Sequence, residues 1–169
     1  MVNHRAQLAA CPLFATLPPD AIDRLAVWFV ARRVSPGDVL IEEDREASLL
    51  LVVAAGSLVV AKRVDGHPEA LVTRIGPGGH AGEVDLVDGD SACASVIAET
   101  SGTVLVLDAQ RLRRMLVTDR RLFAHVARAL LVDLALKVRR TNERVRDAIA
   151  WGLDATGEAI RWRARLAPG

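Results

Sequence analysis

Gly82-Glu83-Val84-Asp85-Leu86-Val87-Asp88-Gly89-Asp90-Ser91-Ala92-Cys93-Ala94-Ser95-Val96 is the stretch that decides the fold. A glycine and a glutamate open a short apolar segment, a glycine turn follows, and a run of small residues leads into a strand. A helix N-terminus next to a turn of free backbone amides attracts anions, and a guanidinium in such a place adds a bidentate clamp. The segment carries Glu83, Asp85, Asp88 and Asp90, and no Lys or Arg lies between Arg74 and Arg111. It has the outline of an anion cradle without the cation.

Outward from this stretch, residues 32–108 break into short β-rich runs: Val39–Glu42, Leu49–Ala54, Leu58–Lys62, Ala70–Ile75, Ala94–Ala98 and Thr103–Leu107. Turn residues separate them at Pro36-Gly37-Asp38, Gly56, Asp65-Gly66, Gly76-Pro77-Gly78-Gly79, Gly89 and Ser101-Gly102. Regular spacing of this kind predicts an antiparallel sandwich or barrel-like roll. Before it, Pro18-Pro19-Asp20 can open a helix on which Ala21, Ile22, Leu25, Ala26 and Phe29 recur at helical spacing. After it, Asp108 is a plausible N-cap for a short helix through Met115, and Thr118 or Asp119 for a much longer one. On the longer helix Phe123, Ala127, Leu130, Leu134, Val138, Thr141 and Val145 form one stripe, while Val126, Leu131, Val132 and Leu136 form a surplus. Two apolar faces on one helix predict a homodimer through it. A last amphipathic piece is read from Leu153 to Leu166, with Trp162 among Arg161, Arg163 and Arg165.

Composition sets the outer limits. The chain has 169 residues, 51% apolar and 25% charged, enough for one domain with an appended helical element. The expected parts are an N-terminal helical segment (1–30), a β-roll (31–108) holding the cradle at 79–98, C-terminal helices (109–150) and a terminal tail (151–169), all in one domain. No apolar run approaches the ~18 residues of a spanning helix, and the start leads into no signal-peptide core, so a cytoplasmic protein without a membrane span is expected. Two cysteines, Cys11 and Cys93, are too few for a disulfide framework or a four-cysteine cluster. The net charge of +1 hides an asymmetry, because residues 1–108 carry 8 Lys+Arg against 15 Asp+Glu and residues 109–169 carry 14 against 6. A basic tail of that kind is either a solvated helix face or a contact for nucleic acid, a membrane surface or an acidic protein.

These parts, in this order, resemble the cyclic nucleotide-binding domain family, including the sensor half of catabolite-activator-type bacterial regulators. The resemblance covers Leu13 to about Val145. Leu13-Phe14 with Leu17-Pro18 is similar to the family's opening helix, and Pro36-Gly37-Asp38-Val39-Leu40-Ile41 to its Pro-Gly-x-hydrophobic-Ile strand. Ser48 to Val60 with Gly56 matches its first hairpin, with Leu51 in the usual aromatic place. Gly79, Gly82, Glu83 and Leu86 match the approach to its phosphate-binding cassette, which ends in Arg-x-Ala-Ser/Thr-Val. The resemblance implies a mainly β fold with flanking helices: a jelly-roll-like antiparallel β-roll, short N-terminal helices and a long dimerisation-type C-terminal helix.

It also implies the candidate ligand-binding residues: Gly82, Glu83, Val84, Leu86, Ser91, Ala92, Cys93, Ala94 and Ser95. In the family the short helix presents amides to the cyclic phosphate, the glutamate accepts from the ribose 2′-hydroxyl and the arginine pairs with the phosphate. Here Ala92 stands in the arginine's place, Asp44 in that of the glycine of a Glu-Gly-Asp turn, and Arg45 in that of its aspartate. Losing a desolvated charge-assisted contact costs about 2–5 kcal/mol. A cyclic nucleotide is therefore disfavoured unless Arg45, Arg74 or a residue of the long helix swings in. The expectation is a non-catalytic regulatory or scaffold module without a resident cofactor, acting on a protein partner or an atypical small ligand. The alternative is a working cyclic AMP or cyclic GMP sensor using a displaced cation, or the sensor part of a transcription regulator. Only 24 residues follow Val145, so direct sequence-specific DNA binding is not expected of this chain.

Three other constellations are weighed by the same means. His80 and Cys93 are a possible metal or haem pair, with a packed histidine and an inert small cysteine as the plainer reading. Glu83 and Asp85 lack a nucleophile motif, which leaves no candidate catalytic set. Asp88-Gly89-Asp90 lacks the ligand ladder of a calcium loop and reads as a tight turn.

Overall fold

The computed structural model describes residues 4–64 and 67–156. The chain divides into two compact units, Met1–Leu131 and Val132–Gly169.

The first unit opens with helix α1 (His4–Ala10), a 3-10 turn (Pro12–Phe14) and α2 (Pro19–Ala26). Pro19 occupies the first turn of α2, where its missing N–H is no loss, and Asp20 in that turn faces the positive end of the helix dipole. Eight strands follow: β1 (Val30–Val34), β2 (Val39–Ile41), β3 (Leu49–Ala55), β4 (Leu58–Val64), β5 (His67–Ile75), β6 (His80–Ala81), β7 (Ser95–Ala98) and β8 (Gly102–Asp108). They pair antiparallel in two four-stranded sheets, ordered β1-β8-β3-β6 and β2-β7-β4-β5. The short helix α3 (Glu83–Asp88) interrupts the strands between β6 and β7, and α4 (Ala109–Thr118) and α5 (Arg120–Thr156) follow them. This is the expected β-roll with short N-terminal helices and a long C-terminal helix.

Strand β3 is apolar from end to end because both of its faces are covered. Leu50 and Val52 face one cluster, together with Leu8, Phe14, Leu25, Leu105, Leu107, Met115, Leu122 and Val126. Leu51 and Val53 face the other, with Val34, Leu40, Ile41, Leu58, Ala81, Ala92, Val96, Ala98 and Val104. The first cluster joins the sheet to the helices, and Phe14 meets Phe29 in it edge-on at 6.1 Å between ring centres. The second fills the space inside the roll.

The capping expectations hold. The Asp108 carboxylate accepts from the Arg111 N–H at 2.8 Å, and that of Asp119 from the Leu122 N–H at 3.0 Å. The side chains that α5 buries are Leu122, Val126, Ala129 and Leu130, with Phe123 only half-buried. The sequence stripe through Phe123 and Ala127 is thus centred one residue off the face that packs. In the second unit α5 continues to Thr156, so the first residues of the terminal piece read from Leu153 belong to this helix. Of the terminal piece Leu153–Leu166, residues 157–166 lie outside the described residues. Val132, Val138, Val145, Ile149 and Trp151 are exposed, and Asp133 and Lys137 pair one turn apart at 3.2 Å. No helix among the described residues is long and apolar enough to cross a membrane.

Candidate functional site

The cradle begins where β6 runs into Gly82. Its φ of 84° lies in the left-handed region, and a Cβ there would sit 2.0 Å from the Leu49 carbonyl oxygen of β3. Only glycine passes this point. The chain then enters α3, which ends at Gly89, again left-handed, with its N–H on the Asp85 carbonyl at 3.1 Å. Leu86 turns into the cluster beneath the helices and anchors α3 there. Val84 is half-buried.

Glu83 and Asp85 are both buried, each about 4% exposed. Burial is the main force pushing the Asp85 carboxyl above its ordinary range, and the charges of Asp88 and Glu83 add to it. The Cys93 backbone N–H donates to Asp85 and offsets part of that push. One buried carboxylate therefore ties α3 to the far limb of the cradle.

That limb starts with an ordinary turn, since the Asp90 N–H donates to Asp88 Oδ1 at 3.0 Å and the Ser91 N–H to Asp90 Oδ1 at 2.7 Å. Ser91 is exposed and bridges to Glu46. Ala92 is held from both sides: its N–H donates to the Arg45 carbonyl at 2.9 Å, and its own carbonyl accepts from the Asp44 N–H at 2.9 Å. Asp44 adopts a φ of 62°, which aspartate tolerates better than most side chains, and it does so where the family places a glycine. Ala92 is 1% exposed, and its methyl belongs to the cluster inside the roll. Ala94 and Ser95 are half-buried, and the Ser95 hydroxyl accepts from the Glu43 N–H at 3.0 Å. Cys93 is exposed, its thiol raised first by desolvation and then by Asp85.

The sequence reading missed Lys62. Its ammonium donates to the Cys93 carbonyl at 2.7 Å and to Glu43 Oε1 at 3.0 Å. The Arg63 N–H donates to the other Glu43 oxygen at 2.8 Å, and that bond, then Lys62, holds the Glu43 carboxyl below its ordinary range. The strand reading ended at Lys62, and only the pairing of β4 with β7, Ala61 opposite Ser95, brings it beside the cradle. Of the cations proposed as substitutes, Arg74 binds Glu99 at 2.6 Å and Arg45 is exposed. His80 lies against Cys11, with Nδ1 3.9 Å from Sγ, and not against Cys93 as considered above.

The profile of the cyclic nucleotide-binding domain matches residues 31–119, just over half of the chain. Over 160 residues the chain is 26% identical to a CRP-like cAMP-activated global transcriptional regulator of Mycobacterium tuberculosis, covering 95% of this chain and 69% of that protein. A cyclic AMP receptor protein of Thermus thermophilus is 30% identical over 148 residues, covering 84% of this chain and 68% of its own. The crystal structure of the Thermus thermophilus catabolite activator protein superposes with a TM-score of 0.74 at 27% identity, covering 82% of this chain and 63% of that one. The profile match and the superposed roll, with Gly82 and Glu83 at the head of the cradle, place this chain in the cyclic nucleotide-binding domain family.

Proposed function

We propose that this chain is a regulatory module of the cyclic nucleotide-binding type that does not hold a cyclic phosphate through the family's arginine contact. The observation that carries the reading is the buried methyl of Ala92, packed inside the roll where the resemblance puts a guanidinium. At about 1.4 kcal/mol per tenfold, the 2–5 kcal/mol lost with that contact weakens binding by roughly 30- to 3,000-fold. Ionised Glu83 or Asp85 within ~4 Å of a phosphate opposes it by up to about 4 kcal/mol at an effective dielectric near 20. The relatives named for cyclic AMP supply the opposite expectation, and direct titration separates the two. Calorimetry with cyclic AMP and cyclic GMP is expected to give no binding tighter than ~10 μM; a tighter complex overturns the proposal. The module then acts through a protein partner or an atypical small ligand, is non-catalytic, and works in the cytoplasm. Sequence-specific DNA recognition is not assigned to residues 1–169.

One observation favours a second reading. Lys62 keeps an ammonium 2.7 Å from the Cys93 carbonyl, at the rim of the cradle. If it leaves Glu43 for a phosphate, the roll is a working sensor with a displaced cation. Measurable nucleotide binding that disappears in Lys62→Met supports this reading; binding that survives the substitution excludes it.

The proposal includes a homodimer through α5. Its support is the exposed apolar series Val132, Val138, Val145, Ile149 and Trp151 on the second unit. Sedimentation at tens of micromolar protein is expected to give the mass of two chains, and a monomer contradicts it.

A further inference from the structure

The corner between α2 and β1 rests on α4 and forms a groove unrelated to the cradle, lined by Trp28, Gln110, Arg113, Arg114, Val117 and Thr118. A rigid frame holds it. Arg111 donates from Nη1 to the Trp28 carbonyl at 3.2 Å, and its Nε lies 3.2 Å from Asp108, the residue that caps α4. Val117, which lines the groove, is 76% exposed, and the chain neighbours of Val117 and Trp28, Leu116 and Val27, are exposed as well. The exposed Val117 and the half-buried indole of Trp28 line one groove and give a partner an apolar surface to cover.

Charge decides what fits it. Helix α4 carries Arg111, Arg113 and Arg114 and no acidic residue. Arg111 is taken by Asp108 and Trp28. Among the described residues, Arg113 and Arg114 have no acidic partner. The nearest carboxylates along the chain are also engaged: Asp108 by Arg111, and Asp119 by Arg24 at 2.8 Å and by the first turn of α5. Two exposed guanidiniums beside an indole and a valine form a complementary site for carboxylates flanking an apolar side chain. A phosphate backbone would satisfy the arginines and leave the indole and valine without a partner.

We propose that this groove docks a protein segment in which acidic residues flank one or two large apolar ones. The proposal does not depend on whether the roll binds a nucleotide. The test uses the full chain and a fluorescein-labelled peptide, Asp-Glu-Leu-Leu-Asp-Glu, followed by anisotropy. Binding is expected with a dissociation constant on the order of 100 μM. It is expected to weaken at least about tenfold in Arg113→Glu/Arg114→Glu and to a similar degree in Val117→Asp. The charge-reversed protein is expected to prefer the peptide with lysine in place of its acidic residues. Thermal melts of the variants should match the parent, because all three side chains are exposed. No binding at millimolar protein, equal binding by the charge-reversed protein, or capture of a labelled DNA duplex in place of the peptide overturns the proposal.

Discussion

The two faces of β3 and β8 look onto interiors of different kinds. On one face Leu50, Leu105 and Leu107 meet Phe14, Leu25, Met115 and Leu122, large side chains filling the space under the helices. On the other, Leu51 and Val104 share a cluster with Val34, Ile41, Leu58 and Val96 and with the small Ala81, Ala92 and Ala98, an aliphatic interior without an aromatic ring among the described residues. The first interior exists to be stable. The second keeps the turns of the cradle, with left-handed Gly82 and the hydrogen bonds of Ala92 to Asp44 and Arg45 in place, and its lining presents the methyl of Ala92 where the resemblance puts a guanidinium. Backbone geometry and side-chain chemistry are separable, because the first is fixed by steric contacts and the second by single atoms at the end of a side chain.

The comparison breaks most severely at Gly82, whose backbone serves both interiors. Gly82→Ala is expected to cost at least about 3 kcal/mol, from the positive φ and the collision with the Leu49 carbonyl together. Urea unfolding measures it, and a loss under 1 kcal/mol, about a fivefold change in the unfolding equilibrium, means the backbone there is not rigid. Neighbouring residues of β8 sharpen the contrast. Leu105→Ala, on the helix side, is expected to cost about 2–5 kcal/mol by transfer plus cavity terms. Val104→Ala, on the roll side, removes two methyl groups and is expected near about 1.5 kcal/mol. A larger loss at Val104 than at Leu105 reverses the ranking of the two interiors.

The smallest effect is at Asp85. Its folded carboxyl keeps a proton to higher pH than the ordinary 3.8. The stability this confers is fully present below that pH and is lost as pH rises through the raised value. Asp85→Asn stays neutral throughout, and its carbonyl oxygen can still accept from the Cys93 N–H. The variant is therefore expected to melt above the parent at pH 7 and to converge with it below about pH 4. A variant less stable than the parent at pH 7 means that the ionised carboxylate is needed, contrary to the burial argument.

Much of this was legible in the sequence where local chemistry dictates geometry. Glycines at forced turns, Asp108 and Asp119 as caps, and the apolar runs of β3 and β8 all declare themselves. Strand β1 does not, because Val-Ala-Arg-Arg-Val is an edge strand with exposed arginines and pairs only with β8. β6 is two residues long, below any periodicity. The packed face of α5 was misplaced by one residue because an apolar surplus on neighbouring positions blurs the helical phase. In the cradle, Gly82, Glu83 and Ala92 were identifiable from the motif. The burial of Asp85 and the Lys62–Glu43 pair were not, because both arise from contacts between segments far apart in sequence.

The most direct measurement is the melting temperature of the parent and of Ala92→Arg, each with and without millimolar cyclic AMP. An arginine placed in that buried position without an anion is an uncompensated charge, so the variant alone is expected to melt below the parent. Cyclic AMP is expected to restore it, by about 2.7 kcal/mol at a hundredfold excess over its dissociation constant, and to stabilise the parent far less. Stabilisation of the parent by cyclic AMP as large as that of the variant contradicts the claim that Ala92 silences the phosphate site.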